Sequence, residues 1–85
     1  MTWDMADFRR KIVPPKGHPF VRFIFEEINR QRASLAQVAE RSGVTADGIR
    51  KWRDQRGPRL GLVEAVLEAL GYELVIREKR PREDH

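Results

Sequence analysis

Ser34-Leu35-Ala36-Gln37-Val38-Ala39-Glu40-Arg41-Ser42-Gly43-Val44-Thr45-Ala46-Asp47-Gly48-Ile49-Arg50-Lys51-Trp52 reads as two short helices joined by a tight turn. Ser34 is a good N-cap, because its hydroxyl can accept from a first-turn N–H that has no intrahelical partner. Leu35, Val38 and Ala39 follow at helical spacing, and Gly43 closes the segment as a residue that tolerates positive φ. Thr45 caps the next helix, whose buried side is marked by Ile49 and Trp52 three residues apart. Ala39 is small enough for the two helices to approach, and Val44 plugs the space between them. The outer face of the second helix is left with Ala46, Asp47, Gly48, Arg50, Lys51 and Arg53, all small or charged. Gly48 costs roughly 1 kcal/mol relative to alanine inside a helix, so this helix must lean on tertiary packing.

Upstream, Phe20, Ile24 and Ile28 form one face of a helix over Pro19–Gln31, with a proline where the first turn tolerates it. Val21 and Phe25 widen that stripe beyond what one neighbouring helix would cover. His18, just before, reads as a loop or cap residue. Downstream of Gly57-Pro58, residues Leu60, Val63, Val66, Leu67 and Leu70 repeat at three and four and define another amphipathic helix, closed by Gly71. Tyr72, Leu74 and Ile76 then alternate as in a short strand. A lone strand cannot satisfy its backbone, so it needs Lys11-Ile12-Val13 or the same strand of a second chain beside it.

The expected fold is therefore all-α, with four to five helices and a short C-terminal β-strand. Residues 18–71 form the body, 72–77 the strand and 78–85 a charged tail. Residues 1–17 are set apart by Pro14-Pro15-Lys16-Gly17. Within them Met5, Phe8 and Ile12 suggest an extra helix over Asp4–Lys11, whereas Arg9-Arg10-Lys11 could serve as a basic arm.

The chain has 85 residues, 17 Lys+Arg against 13 Asp+Glu, and a formal charge of +4. That is one small domain. Without cysteine it has no disulfide, thiolate metal site or Cys nucleophile, and two histidines cannot build a metal site alone. Glu26 and Glu27, adjacent on a helix, face different directions and are expected at the surface. No Ser/His/Asp set or phosphate loop stands out, so neither catalysis nor a cofactor is expected. No apolar run approaches the roughly 18 residues of a membrane span, and no signal-peptide pattern opens the chain. A cytoplasmic location is the expectation. With a pI near 10.1, nucleic acid is the leading partner class.

Two short helices with the second one outermost make a helix-turn-helix, whose second helix can enter the major groove. The run from Ser34 to Thr45, with Ile49 and Trp52, resembles the lambda-repressor-like (Cro and repressor, xenobiotic-response-element) helix-turn-helix family. The series Pro58, Leu60, Val63, Val66, Leu67, Leu70, Gly71 resembles that family's following helix, so the likeness covers about residues 18–71. It implies binding of operator DNA, usually as a homodimer. It also implies that Ser34 and the start of its helix meet a phosphate. Thr45, Ala46, Asp47, Arg50 and Lys51 would line the groove, and Arg56 and Arg59 would lie near the flanking backbone. Leu35 stands where the family often has glutamine, and Gly48 where serine or threonine is common.

Charge follows the same division. Between Ser42 and Arg59 five basic residues face two acids, whereas Leu60 to Gly71 carries only Glu64 and Glu68. The expected function is sequence-specific double-stranded DNA binding by a small transcriptional regulator, a repressor. Two other functions fit the same residues. One is an antitoxin whose main partner is a toxin protein, and the other an accessory factor that binds DNA without sequence preference.

Overall fold

His18 opens the first helix, α1 (Pro19–Gln31), as its N-cap: the imidazole Nδ1 accepts from the Phe20 N–H at 3.1 Å. The computed structural model describes residues 8–54 and 58–79 of the chain. Within them three more helices follow, α2 (Leu35–Ser42), α3 (Ala46–Lys51) and α4 (Leu60–Ala69). Each junction has a local cause. Arg32 turns into the left-handed region at φ 56°, which lets the Ala33 N–H donate to the Ile28 carbonyl and ends α1. Ser34 caps α2 by accepting from the Gln37 N–H at 3.1 Å. Gly43, at φ 79°, ends α2 and donates to the Ala39 carbonyl, as the sequence requires of the turn.

Among the described residues the protein is all-α. The core forms where α2 packs on α3 and α4, and α1 packs on α4. Val21, Ile24, Phe25 and Ile28 from α1 meet Val38, Val44, Ile49, Trp52, Val63, Val66, Leu67 and Leu70. The buried face of α1 is thus shifted from the expected one: Phe20 stands 43% exposed while Val21 and Phe25 are fully inside. Leu60, expected on the buried face of α4, is 64% exposed. Both residues lie in the first turns of their helices and line a shallow cleft at one end of the bundle, where none of the described elements covers them.

The expected strand over residues 72–77 does not form; residues 72–79 follow an irregular course, and no strand occurs among the described residues. Tyr72 docks on α1 instead. Its ring meets Phe23 edge-on at 4.9 Å between centroids, and its hydroxyl donates to Glu27 Oε1 at 2.9 Å. Leu74 packs against the core, leaving Val75 and Ile76 outside. Glu27, expected at the surface, is buried. Arg30 and Gln31 also donate to its carboxylate, and the Arg30 bond is the main cause holding its pKa below the ordinary glutamate value. Gln31 reaches onward to the Leu70 carbonyl at 2.9 Å and so caps the end of α4.

The expected extra helix over Asp4–Lys11 falls partly on residues 1–7, outside the described residues; residues 8–14 are not helical. They run along α1, held by a two-way pairing with the Asn29 side chain. The Lys11 N–H donates to Asn29 Oδ1 at 2.7 Å, and Asn29 Nδ2 donates to the Lys11 carbonyl at 2.8 Å. The stretch expected to pair with the strand therefore pairs with an amide side chain. Val13 packs on the core and Pro14 is buried, which accounts for part of the wide apolar stripe of α1.

Candidate nucleic-acid interface

α3 is one of the shortest elements, and its position is set from both ends. Thr45 Oγ1 accepts from the Gly48 N–H at 3.0 Å. A Cβ at residue 48 would stand 2.9 Å from that oxygen, so the glycine that weakens the helix leaves room for its cap. Ile49 and Trp52 are buried against the body, at 0% and 3% exposure. The opposite face is consequently in solvent. It carries Asp47, Arg50 and Lys51, each with half or more of its side chain exposed.

Asp47 sits between the two cations. Its Oδ1 lies 3.3 Å from Arg50 Nη1 and its Oδ2 3.3 Å from Lys51 Nζ. The spacings are i,i+3 and i,i+4, which place the three side chains on one stripe. Exposed pairs of this kind are worth about 0–1 kcal/mol each, so an anion can take either cation from Asp47 at small cost.

A second group of cations lies beside this face. Arg9 and Lys11 from the N-terminal segment and Arg50 and Arg53 from the α3 region line a pocket of about 370 Å³, closed by Phe25 and the first residues of α2. Partial burial, then the charges of Arg50, Arg9 and Arg53, push the Lys11 ammonium below the usual lysine pKa.

The expected site residues divide accordingly. Asp47, Arg50 and Lys51 share the exposed face, with Thr45 at its start and Ala46 half-buried against the core. Ser34 lines the pocket but is itself buried, its hydroxyl occupied as the α2 cap. Arg59 is exposed at the start of α4 and belongs to neither group, and Arg56 lies outside the described residues. Arg53, expected on the outer face of the second helix but not among the DNA-contacting residues, lines the pocket; its three-residue spacing from Arg50 is the available signal. The Arg9-Arg10-Lys11 run is visible in the sequence as a basic arm, but its neighbours are not.

Compared with protein-family models, with curated proteins and with solved structures, the chain matches none. Among the described residues no helix is long and apolar enough to cross a membrane.

Proposed function

We propose that this chain is a sequence-specific double-stranded DNA-binding protein of the lambda-repressor-like helix-turn-helix kind, acting as a cytoplasmic transcriptional repressor. The observation that carries the reading is the α2–turn–α3 unit. Its second helix is anchored by Ile49 and Trp52 and turns Asp47, Arg50 and Lys51 outward. In this reading Lys and Arg contacts to phosphate supply most of the affinity, and Arg50 or Lys51 donates to guanine O6 and N7 in the major groove. A homodimer would present two such helices to half-sites about 34 Å apart and read an inverted repeat.

Selection from random duplexes, followed by competition between the selected and a random duplex, tests this. Enrichment of an inverted repeat is expected. Arg50→Ala and Lys51→Ala should each cost about 1–3 kcal/mol if that residue reads a base, and should relax preference at one position. Full specificity in the double alanine variant would remove α3 from recognition. Equal affinity for all duplexes would favour the non-specific accessory factor.

The antitoxin reading has one observation in its favour. Beyond Leu74 the chain leaves the body with Val75 71% and Ile76 100% exposed, apolar side chains that a protein partner could cover. A stoichiometric toxin co-purifying with the chain would establish it.

A further inference from the structure

The pocket beside α3 brings together cations from two distant parts of the chain, and this arrangement is unfavourable by itself. Arg9 and Lys11 share it with Arg50 and Arg53, and none of the described residues lining it is acidic. Asp47 pairs with Arg50, but from the outer face of α3. Like charges crowded in a partly buried site repel, and at Lys11 the charges of Arg50, Arg9 and Arg53 add to the larger effect of burial in lowering its pKa. The approach is enforced by the backbone: buried Asn29 grips Lys11 in both directions, at 2.7 and 2.8 Å. The Lys11 ammonium is further held by the Arg9 carbonyl and lies 5.4 Å from the centre of the Phe8 ring. The pocket wall at residues 34–36 is the start of α2, where the Leu35 and Ala36 N–H groups have no carbonyl one turn earlier to donate to, the Gln37 N–H being taken by Ser34. The charged groups that converge here, all cationic, suit an anion.

Arg50 decides which anion. It belongs both to the exposed face of α3 and to the pocket. A duplex lying on that face would run its sugar-phosphate backbone past the pocket mouth. We propose that Arg9 and Lys11 of the N-terminal segment join Arg50 and Arg53 in a seat for a phosphodiester group of the DNA backbone, beside the start of α2, where the family resemblance already implies a phosphate. The N-terminal segment, clipped to α1 by Asn29, is then part of the nucleic-acid interface. This rests on the DNA-binding reading above and extends it to residues outside the helix-turn-helix.

The test uses the full chain and a salt series of duplex-binding measurements. Arg9→Gln/Lys11→Gln is compared with wild type and with a charge-matched control outside the pocket, Lys16→Gln/Arg22→Gln. If each protomer then neutralises one phosphate fewer, the log K against log salt slope of the homodimer should flatten by about 1.8, or about sixtyfold in affinity at 0.1 M salt. The control should keep the wild-type slope. The pocket variant should melt no lower than wild type, since it relieves repulsion; if it does melt lower, Arg9→Gln alone carries the comparison. A slope unchanged in the pocket variant, or flattened equally in the control, overturns the proposal while leaving DNA binding intact. Absence of duplex binding by wild type at low salt overturns the functional reading itself, and this proposal with it. Saturable shifts of the Ala36 and Arg50 amides by inorganic phosphate, with duplex affinity indifferent to the pocket variant, would assign the pocket to a free anion instead.

Discussion

The Tyr72 hydroxyl donates to Glu27 Oε1 at 2.9 Å across 45 residues of sequence, and through it the chain beyond α4 is fastened to α1. The same carboxylate accepts from Arg30 and Gln31, so one buried charge organises the end of α1 and the docking of the C-terminal segment.

Removing that hydroxyl should loosen the segment without unfolding the body. Tyr72→Phe keeps the ring against Phe23 and is expected to cost about 1 kcal/mol, measured by urea denaturation. Truncation after Gly71 also removes Leu74 from the core and should cost about 2–4 kcal/mol. A truncated chain with the wild-type midpoint would mean that the docked segment contributes nothing to stability.

Glu27 makes stability depend on acid in a defined sense. Its folded pKa lies below its unfolded value near 4.3. The stabilisation is therefore fully present above about pH 4.3 and lost as pH falls through the lower folded value. Glu27→Gln should cost about 1–2 kcal/mol at pH 7 and show a shallower decline in Tm than wild type as pH falls below about 4.3. Parallel curves would locate the acid sensitivity in other carboxylates.

Asp47 holds Arg50 and Lys51 back from anions as well as holding them in place. With the α3 face on DNA as proposed, Asp47→Asn should tighten binding to random duplexes several-fold and narrow the gap to the selected site. Competition titrations at fixed salt measure both. A loss of affinity for every duplex would show instead that Asp47 orders the two cations for DNA.

Arg32 sits at φ 56° where glycine is usual, and a residue with a Cβ is disfavoured there by roughly 1–2 kcal/mol. Arg32→Gly should stabilise the domain by about 0.5–1 kcal/mol after the greater chain entropy of glycine is counted, a rise of a few degrees in Tm. Trp52→Ala, by contrast, should leave a cavity beneath α3 costing about 3–5 kcal/mol, most of what a domain of this size has. If Trp52→Ala melted like wild type, the anchoring of α3 from below would be wrong.

The caps and turns of this protein are decided within a few residues of sequence. Ser34 reaches Gln37, Thr45 reaches Gly48, His18 reaches Phe20, and Gly43 supplies its own φ, so neighbours two or three apart are enough to place α1, α2 and α3. The periodicity of Val63, Val66, Leu67 and Leu70 places α4 for the same reason. Packing decided the rest. Whether Phe20 or Val21 goes inside depends on which part of α1 its neighbours cover, and alternation at Tyr72, Leu74 and Ile76 does not say that Tyr72 and Leu74 dock on the helices while Ile76 stays in solvent. The pocket is the clearest case: Arg9 and Lys11 lie some forty residues from Arg50 and Arg53, and the grip of Asn29 on the Lys11 backbone, with Val13 and Pro14 packed inside, brings the four charges together. Local hydrogen bonding is written in short spacings, but like charges are gathered only when folding free energy from the rest of the core holds them against their repulsion.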